Sequence, residues 1–361
     1  MLKRQDQALE RGNVSVRARH GKSSPSQKPQ LCAIRRLIST FEAVNVDNAR
    51  CRIRSSGRPE EGAAIKRIQV ILIRSLLRLL SWVPLPVMHA VGHAVGTLMY
   101  WLPTSAKHVT LTNLRLCFPE KSEAEIHRLA RESLQETGKS AFELGLVWAS
   151  PVEKVMRKVV RVKGQELIDE HLARGKGLII IAPHLGSWEL SGLYVSMVAP
   201  ITYLYRPPKM QAFEEALVKY RNRGGAGQAP TTRRGILQLI RTLKEGKVVG
   251  ILPDQQPGED NGVYAPFFHE KALTMTLVAR LAGKSGAPVI SAVTRRLPRG
   301  AGYEVAFRPA EPGIDSEDSL TAATALNRTV EVCVREHIAQ YQWEYKRFRR
   351  RPSEEGDRAI Y

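Results

Sequence analysis

Residues 177–190 read GLIIIAPHLGSWEL, and this stretch decides the fold. Its apolar, β-branched run from Leu178 to Ala182 predicts a buried strand. His184 follows this strand, and a helix that Ser187 could cap follows in turn. Buried strands that lead into helices in this way are typical of open α/β sheets, which place their functional sites at the carboxyl ends of the strands.

Four further β-rich segments continue the pattern. They are APITYLYRP (199–207), KVVGILPDQ (247–255), APVISAVTRR (287–296) and GYEVAFRP (302–309), separated by helical stretches or turns. Upstream, apolar residues recur at helical spacing from Ser122 to about Trp148, and Ser122 with Glu125 forms a capping box. The sequence therefore predicts an α/β fold with a mixed central sheet flanked by helices.

The composition excludes several classes of protein. With 361 residues, 43% hydrophobic and 25% charged, the chain is neither collagen-like, wholly disordered nor a polytopic membrane protein. Its four cysteines form neither a CxxC pair nor a dense disulfide framework, which argues against a zinc ribbon and favours a reducing compartment. The net charge of +20 attracts nucleic acid, an anionic membrane, phosphorylated lipid or an acidic carrier protein, without choosing among them.

The first hundred residues divide into two parts. Residues 1–65 are rich in Arg, Ser, Gln and Gly and lack sustained apolar periodicity, so we expect a disordered or non-native N-terminal extension. Residues 66–104 are strongly apolar, with Arg74 and Arg78 on one helical face. Proline residues at 84 and 86 break this segment. We therefore predict a membrane-associating helical hairpin or anchor over 66–104.

Other arrangements of this segment remain open. Two buried core helices, or a single tilted span across Leu79–Leu102, would also fit its composition. Gly92 and Gly96 form a small-xxx-small pair that would let the hairpin helices approach closely. In the hairpin, three aromatic residues would serve as interfacial anchors: Trp82, Tyr100 and Trp101.

The chemistry is expected at the end of the first strand. Glu189 lies five positions after His184, so its carboxylate can turn back to the imidazole, fix the tautomer and stabilise the imidazolium. The other ring nitrogen would then act as a general base, with a nucleophile supplied by the substrate. No GxSxG motif surrounds Ser187 and no cysteine neighbours His184, which disfavours a serine or cysteine hydrolase. HExxH is absent and no further ligands cluster, so no metal site is predicted.

The stretch APHLGSWEL resembles the HxxxxE motif of the lysophospholipid acyltransferase-like superfamily. In particular it resembles the lipid A biosynthesis acyltransferases, the late lauroyl/myristoyl transferases of Gram-negative bacteria. Further segments agree in order: KHVTLTNLRLCFPEKS (107–122), YRPPK (205–209), GILPDQQPGEDNGVYAPFFHEKALTMTLVARLA (250–282) and WEYKRFRRRP (343–352). The resemblance extends over roughly residues 66–352.

One related group fits less well. Glycerol-phosphate acyltransferases usually carry Asp in place of Glu189 and follow it with an FPEGTR-type phosphate motif. Here Phe118, Pro119 and Glu120 precede His184. This order disfavours a glycerophospholipid acceptor and leaves another glycolipid as the alternative to lipid A.

The resemblance implies a reaction and a set of site residues. A fatty acyl chain would pass from acyl-acyl carrier protein to a hydroxyl of a Kdo-lipid A precursor, with His184 as general base and Glu189 orienting it. Arg206, helped by Lys209, would hold a phosphate or the developing negative charge. Asp254 and Gln255 would bind sugar hydroxyls or position the arginine.

The resemblance also implies partners and a location. Residues 105–352 would form the acyltransferase catalytic domain and 353–361 a polar tail. The enzyme would need no cofactor besides its acyl donor. Its partners would be acyl carrier protein, a phosphorylated glycolipid and the membrane, with the catalytic domain on the cytoplasmic side of the bacterial inner membrane.

A non-catalytic alternative belongs to another class. A basic membrane-binding or nucleic-acid-binding protein would also explain the charge and the basic aromatic end WEYKRFRRRP, which suits an anionic membrane or an acidic carrier, or is a solvated tail. Aromatic residues make up only 6% of the chain, and no helix-turn-helix, RNP or zinc-finger signature is present. We therefore expect no nucleic-acid partner.

Overall fold

The computed structural model describes residues 59–206, 211–352 and 360–361, without the side chains of 59–68, 211–213, 215 and 216. Of the expected N-terminal extension, residues 1–58 lie outside the described part. Residues 59–65, which were also assigned to the extension, instead begin the first helix, Pro59–Leu80.

The helices are numbered in chain order from this first one. They are α1 (Pro59–Leu80), α2 (Leu85–Trp101), α3 (Ser105–Cys117), α4 (Glu123–Ala149), α5 (Val152–Met156), α6 (Glu166–Ala173), α7 (Trp188–Val198), α8 (Gln211–Arg221), α9 (Arg233–Lys244), α10 (Leu277–Ser285) and α11 (Ser319–Glu336). The predicted capping box is confirmed at the start of α4, where Ser122 and Glu125 satisfy each other's backbone N–H groups.

The strands form one large sheet and one hairpin. They are β1 (Val159–Lys163), β2 (Leu178–Ile181), β3 (Ile201–Tyr205), β4 (Gly227–Pro230), β5 (Val248–Ile251), β6 (Gly262–Phe267), β7 (Glu270–Met275), β8 (Val289–Arg296) and β9 (Tyr303–Pro309). The sheet runs β1-β9-β8-β2-β5-β3-β4, while β6 and β7 pair separately. Strands β8, β2, β5, β3 and β4 are parallel, and β9 runs antiparallel to β8. The predicted mixed sheet is confirmed.

Helices cover both faces of this sheet because successive strand residues point to opposite sides. Ile179 and Ile181 of β2 pack in one apolar cluster with residues of α9, α10 and α11. Leu178 and Ile180 pack in another cluster with residues of α6 and α7. Helices α1 and α2 join α7 through Leu77, Leu85, Met88, Leu190 and Leu193. The segment 66–104 therefore lies on the α7 side of the sheet, away from α9.

The segment 66–104 forms two helices, as predicted. Helix α1 ends at Leu80 and α2 begins at Leu85, with Pro84 as the N-cap residue, so a continuous span across Leu79–Leu102 is not formed. The expected role of the glycines is wrong, because they bring α2 against α4. A Cβ atom at Gly96 would lie 2.1 Å from the carbonyl oxygen of Leu134.

The outer surface of α1 and α2 is apolar. Its exposed large hydrophobic residues are Ile71, Leu72, Leu76, Leu79, Trp82, Val87, Val91, Leu98 and Trp101. Trp82 and Trp101 are 72% and 69% exposed, which argues against two fully buried core helices. Tyr100, the third expected anchor, is partly buried and hydrogen-bonds His127 at 2.9 Å. In the described ranges, no helix combines the length and apolarity needed to cross a membrane.

The expectation of a solvated basic end is wrong. Trp343 and Phe348 are fully buried in the cluster around α3 and α4, and the Arg347 guanidinium donates to the Leu273 carbonyl at 2.6 Å. Of the expected polar tail, residues 353–359 lie outside the described part. The hydroxyl of Tyr361 donates to Asn113 and accepts from the Phe348 N–H, so the last described residues pack on the domain.

Candidate active site

Strand register brings a histidine and a carboxylate together. Strands β2 and β5 are parallel neighbours, and Ile181 pairs with Ile251. His184 and Asp254 each lie three residues beyond these paired positions. Because both chains leave the sheet at the same level, the two side chains meet at its carboxyl edge. The Nδ1 atom of His184 lies 2.8 Å from Oδ1 of Asp254.

The hydrogen bonds around the imidazole define its tautomer. The His184 backbone N–H also donates to Asp254, to Oδ2 at 2.8 Å. Since an ionised carboxylate only accepts hydrogen bonds, the ring proton lies on Nδ1. The unprotonated Nε2 then faces the side-chain amide nitrogen of Gln255 at 3.2 Å, which donates to it. His184 therefore holds a basic nitrogen at the edge of the sheet, and Gln255 contacts that nitrogen.

Asp254 is buried and ionised. Burial alone would raise the pKa of Asp254, but the interaction with His184 and the hydrogen bonds from its ring and backbone lower it below the usual value. Burial raises the pKa of the Tyr341 phenol well above its ordinary value, and the charge of Asp254 raises it further. Asp254 was expected to bind sugar or position an arginine, whereas its hydrogen-bond partner is His184.

Glu189 does not make the predicted bond to the imidazole. Its carboxylate accepts from the Arg221 guanidinium, with Nε at 3.2 Å, and from Nε1 of Trp148 at 3.1 Å. The Trp188 ring centroid lies 5.3 Å from that of His184. Trp188, the first residue of α7, is thus the helix residue beside the imidazole. Glu189 is rotated by about 100° from Trp188 around the helix axis, so its side chain points away from the ring. Glu189 was expected to be the orienting carboxylate; the carboxylate bonded to the ring is Asp254.

The electrostatic environment of Glu189 is nevertheless linked to His184. Burial alone would raise the pKa of Glu189, but Arg221, the hydrogen bond from Trp148 and, when its ring is protonated, His184 lower it. Glu189 is therefore ionised, and it lies close enough to His184 to interact with the imidazolium when the ring takes up a second proton.

The loop after β2 is held by backbone bonds to two other segments. The N–H of Gly186 donates to the Gln340 carbonyl at 2.9 Å, and the N–H of Ser187 donates to the Thr294 carbonyl at 2.8 Å. Gly186 has φ +59°, and a Cβ atom there would lie 2.0 Å from the Thr294 oxygen. Ser187 occupies the N-cap position of α7, but among the described residues its hydroxyl makes no capping bond, unlike the prediction.

A buried ion-pair cluster contacts this loop at the carbonyl of Gly186. The Arg296 guanidinium donates to the Gly186 carbonyl at 3.0 Å and to Glu143 at 2.7 Å. Glu143 also accepts from the Tyr303 hydroxyl at 2.9 Å, and His89 lies 3.4 Å away. Burial alone would raise the pKa of Glu143, but Arg296 and His89 lower it to about 2. The cluster thus connects α2 and α4 with the loop that carries His184.

Two predicted binding residues lie further along the chain. Arg206 is exposed directly after β3, and β3 is two strands from β2 in the sheet. It therefore lies at the same carboxyl edge, about 10 Å from the end of β2. Lys209 lies outside the described residues. The sheet thus brings His184, Asp254 and Gln255 into direct contact and leaves Arg206 at a distance.

Several site residues were missed by sequence reasoning. Arg221 and Trp148 hold Glu189, while Arg296 and the segment around Tyr341 hold the His184 loop. For these missed residues the sequence offered one signal, which was the basic residue Arg296 at the end of a predicted strand. Within 59–206, 211–352 and 360–361, no group of three or more His, Cys, Asp or Glu side chains could hold a metal ion.

Comparisons with known proteins agree with the resemblance in the sequence. The family model described as "Bacterial lipid A biosynthesis acyltransferase" matches residues 61–350. The chain is 30% identical over 281 residues to the lipid A biosynthesis lauroyltransferase of Escherichia coli (strain K12), covering 77% of this chain and 90% of that relative. The palmitoleoyltransferase of the same organism is 28% identical over 283 residues (78% and 90%). The myristoyltransferase is 25% identical over 277 residues (74% and 82%).

Proposed function

The chain belongs to the bacterial lipid A biosynthesis acyltransferases, and we propose that it transfers a fatty acyl chain from acyl-acyl carrier protein to a hydroxyl of a phosphorylated Kdo-lipid A precursor. Membership of the family makes the protein an acyltransferase of lipid A biosynthesis. The relatives' names give three different acyl groups: lauroyl, palmitoleoyl and myristoyl. The hydrogen-bonded pair of His184 and Asp254 is the observation that carries the proposed mechanism.

His184 acts as the general base. With its Nδ1 proton donated to Asp254, the imidazole presents an unprotonated Nε2 to an acceptor hydroxyl. Gln255 now contacts that nitrogen, so the incoming hydroxyl takes the place of the amide. As the proton moves to Nε2, the Asp254 carboxylate stabilises the imidazolium that forms.

The transfer then proceeds by addition and elimination. The hydroxyl oxygen attacks the thioester carbonyl carbon while Nε2 takes its proton, which gives a tetrahedral oxyanion. The carbon–sulfur bond breaks as the carbonyl reforms, and the imidazolium returns the proton to the departing thiolate. The products are an ester on the glycolipid and the free thiol of the carrier.

Side chains supply the stabilisation of the oxyanion. Each backbone N–H from His184 to Ser187 already donates a hydrogen bond, to Asp254, Pro183, Gln340 or Thr294. The Gln255 amide carries two N–H donors, of which one points at Nε2. We assign stabilisation of the oxyanion to the Gln255 amide. Arg206 and Lys209 would hold the phosphate groups of the acceptor.

Glu189 contributes through charge and position. Its pairing with Arg221 and Trp148 fixes an ionised carboxylate at the start of α7, close to His184. We propose that this carboxylate stabilises the imidazolium through space and shapes the wall of the site, while Asp254 orients the ring. The orienting role expected of Glu189 therefore passes to Asp254, and only stabilisation of the imidazolium is proposed for Glu189.

The apolar surface of α1 and α2 binds the membrane. Its exposed leucine, isoleucine and tryptophan side chains accompany Arg74 and Arg78, which suits a helix pair lying in the headgroup region of an anionic bilayer. We propose attachment to the cytoplasmic face of the bacterial inner membrane, where acyl carrier protein is available.

A transfer assay in detergent micelles tests the proposed reaction. A series of acyl carrier protein thioesters is offered with a Kdo-bearing lipid A precursor, the same precursor lacking Kdo, and an unrelated glycolipid. We expect ester formation on the Kdo-bearing acceptor and a preference for one chain length. Transfer only to the unrelated glycolipid would overturn the acceptor, and transfer only from another thioester, such as acyl-coenzyme A, would overturn the donor.

A further inference from the structure

The exposed side of α9 is strongly basic. Its outward-facing residues recur at spacings of three and four, and they are Arg233, Arg234, Leu237, Gln238, Arg241 and Lys244. We call these residues the α9 basic face. Leu237, at its centre, is 49% exposed. An apolar residue surrounded by cations is the composition of a small interface with an acidic partner.

Few interactions within the chain involve the cations of this face: Arg241 interacts with the charge of Glu245, and Arg241 and Lys244 lie in the last turn of α9, where the helix dipole favours positive charge. Among the described residues, no hydrogen bond or salt bridge engages the side chains of Arg233, Arg234, Arg241 or Lys244. Glu245, the acidic residue of the stretch 233–247, pairs with Lys247 at 2.7 Å instead. Arg233 and Arg234 also stand in the first turn of α9, where the helix dipole disfavours positive charge. Helix stability therefore does not explain the two arginines.

The α9 basic face begins at the edge of the sheet that carries His184. Strand β4 ends at Pro230, and the N–H of Thr231 bonds the carbonyl of Tyr205 at 3.1 Å, so the loops after β3 and β4 lie side by side. In the strand order β2-β5-β3-β4, three spacings separate β4 from β2, or about 14 Å. This length lies along the sheet edge and does not include the height of α9 above the sheet. A phosphopantetheine arm of about 14 bonds, at 3.3–3.6 Å for every three bonds, spans roughly 16 Å, so the arm must enter from the first turn of α9, beside Arg233 and Arg234.

The face also lies away from the surface assigned to the membrane. Helix α9 packs on the side of the sheet to which Ile179 and Ile181 point. Helices α1 and α2 pack with α7, whose residues share the cluster on the opposite side. A partner of α9 therefore approaches from the side facing away from α1 and α2, which favours a soluble acidic protein over a lipid surface.

We propose that the α9 basic face is the docking surface for the acyl carrier protein that delivers the thioester. The inference rests on the proposed donor and adds where that donor binds. The acidic carrier contacts the arginines around Leu237, and its arm passes over the carboxyl ends of β3 and β5 to His184. Association is steered by charge, so it weakens as salt rises.

Charge reversal on the face tests the proposal. The full-length double variant Arg234→Glu/Arg241→Glu is compared with Arg131→Glu/Arg174→Glu, which makes the same change of charge at exposed positions on α4 and after α6. Binding of fluorescently labelled holo-carrier is measured in detergent, together with KM for the acyl carrier in the transfer assay. We expect the α9 variant to raise both Kd and KM by roughly tenfold with kcat within about twofold, and the control to change either by less than about twofold.

Two outcomes would overturn the docking proposal, and a third would overturn the proposed donor on which it rests. Equal effects in the two double variants would show a dependence on total charge alone. Unchanged carrier binding in the α9 variant, with lost sedimentation on vesicles of anionic phospholipid, would assign the face to the membrane. Failure of the wild-type protein to bind the carrier at all would instead overturn the proposed donor, so the two failures are distinguishable.

Discussion

The candidate site contains two pairs of an acidic and a basic side chain, and the fold brings the members of each pair together in a different way. His184 and Asp254 follow neighbouring strands whose register places them at the same level of the sheet. Glu189 and Arg221 join the start of α7 to the end of α8. Glu189 is near His184 in sequence, but the hydrogen-bond partner of His184 is Asp254, which is far away in sequence. Strand register therefore decides which carboxylate orients the ring.

The two carboxylates are both ionised, for different reasons. His184 lowers the pKa of Asp254 against the effect of burial, whereas Arg221 is the main partner that lowers the pKa of Glu189. Asp254 therefore acts directly on the ring, and Glu189 acts mainly on the packing of α7 and α8. Substitution of Asp254 should therefore reduce mainly the rate of transfer, and substitution of Glu189 should reduce mainly the stability of the fold.

The largest effect is expected from His184→Ala. Without a general base, the rate of acyl transfer should fall by about a thousandfold, within the range that positioned bases contribute. The rate is measured under single-turnover conditions, with the enzyme in excess over the acceptor lipid and the acyl carrier thioester at saturating concentration. The thermal midpoint should stay close to that of the wild type, and a folded variant that retains most of its activity would contradict the role of His184.

Asp254→Asn should have the second largest effect on rate. The amide keeps the shape of the carboxylate but can donate to Nδ1, which favours the tautomer with its proton on Nε2. We expect kcat to fall roughly a hundredfold while KM for the acyl carrier changes little. A variant with wild-type kcat would remove Asp254 from the mechanism and leave Glu189 as the candidate.

Glu189→Gln should reduce the rate less, by about tenfold, because the ring keeps its bond to Asp254. It should lower the free energy of unfolding by about 2 kcal/mol, since the Arg221 guanidinium loses its counter-charge. Urea denaturation and the transfer assay on the same preparation measure the two quantities. Arg221→Lys is the matched variant, and it should reproduce the stability loss in part. A hundredfold loss of rate without destabilisation would reverse the comparison.

A third buried carboxylate should affect acid stability with the smallest effect on rate. Glu143 has its pKa lowered from 4.5 to about 2, so it stabilises the fold above about pH 4.5 and loses this contribution as pH falls toward 2. That contribution corresponds to roughly 3 kcal/mol. Urea midpoints measured between pH 7 and 2 should fall less steeply in Glu143→Gln than in the wild type. Equal slopes would contradict the assignment.

Local patterns in the sequence predicted the elements well. The apolar run 178–182 and the segment 247–255 contain β2 and β5, and the capping box begins α4. Pro84 separates α1 from α2, and Pro86 lies in the first turn of α2. Each of these follows from neighbouring residues, whose periodicity or backbone restriction determines local structure. His184 was located for the same reason, because it directly follows a strand.

Long-range pairing could not be predicted. Asp254 and Gln255 were recognised as strand-end residues, but only the parallel pairing of β2 with β5 shows that they contact His184. The end of the chain was misjudged because its arginines dominate its composition. In the fold, Arg347 donates to a buried carbonyl, and Trp343 packs against α3 and α4. Charge predicts exposure only where no buried acceptor is available.

The tautomer of His184 is the most direct test of the central claim that Asp254 orients the catalytic base. Nitrogen-15 NMR of histidine-labelled protein at neutral pH or above, assigned with His184→Ala, reports which ring nitrogen carries the proton. We expect a protonated Nδ1 and a bare Nε2 in the wild type and in Glu189→Gln, with the proton moved to Nε2 in Asp254→Asn. A wild-type proton on Nε2, or a tautomer that responds to Glu189→Gln and not to Asp254→Asn, would contradict that claim.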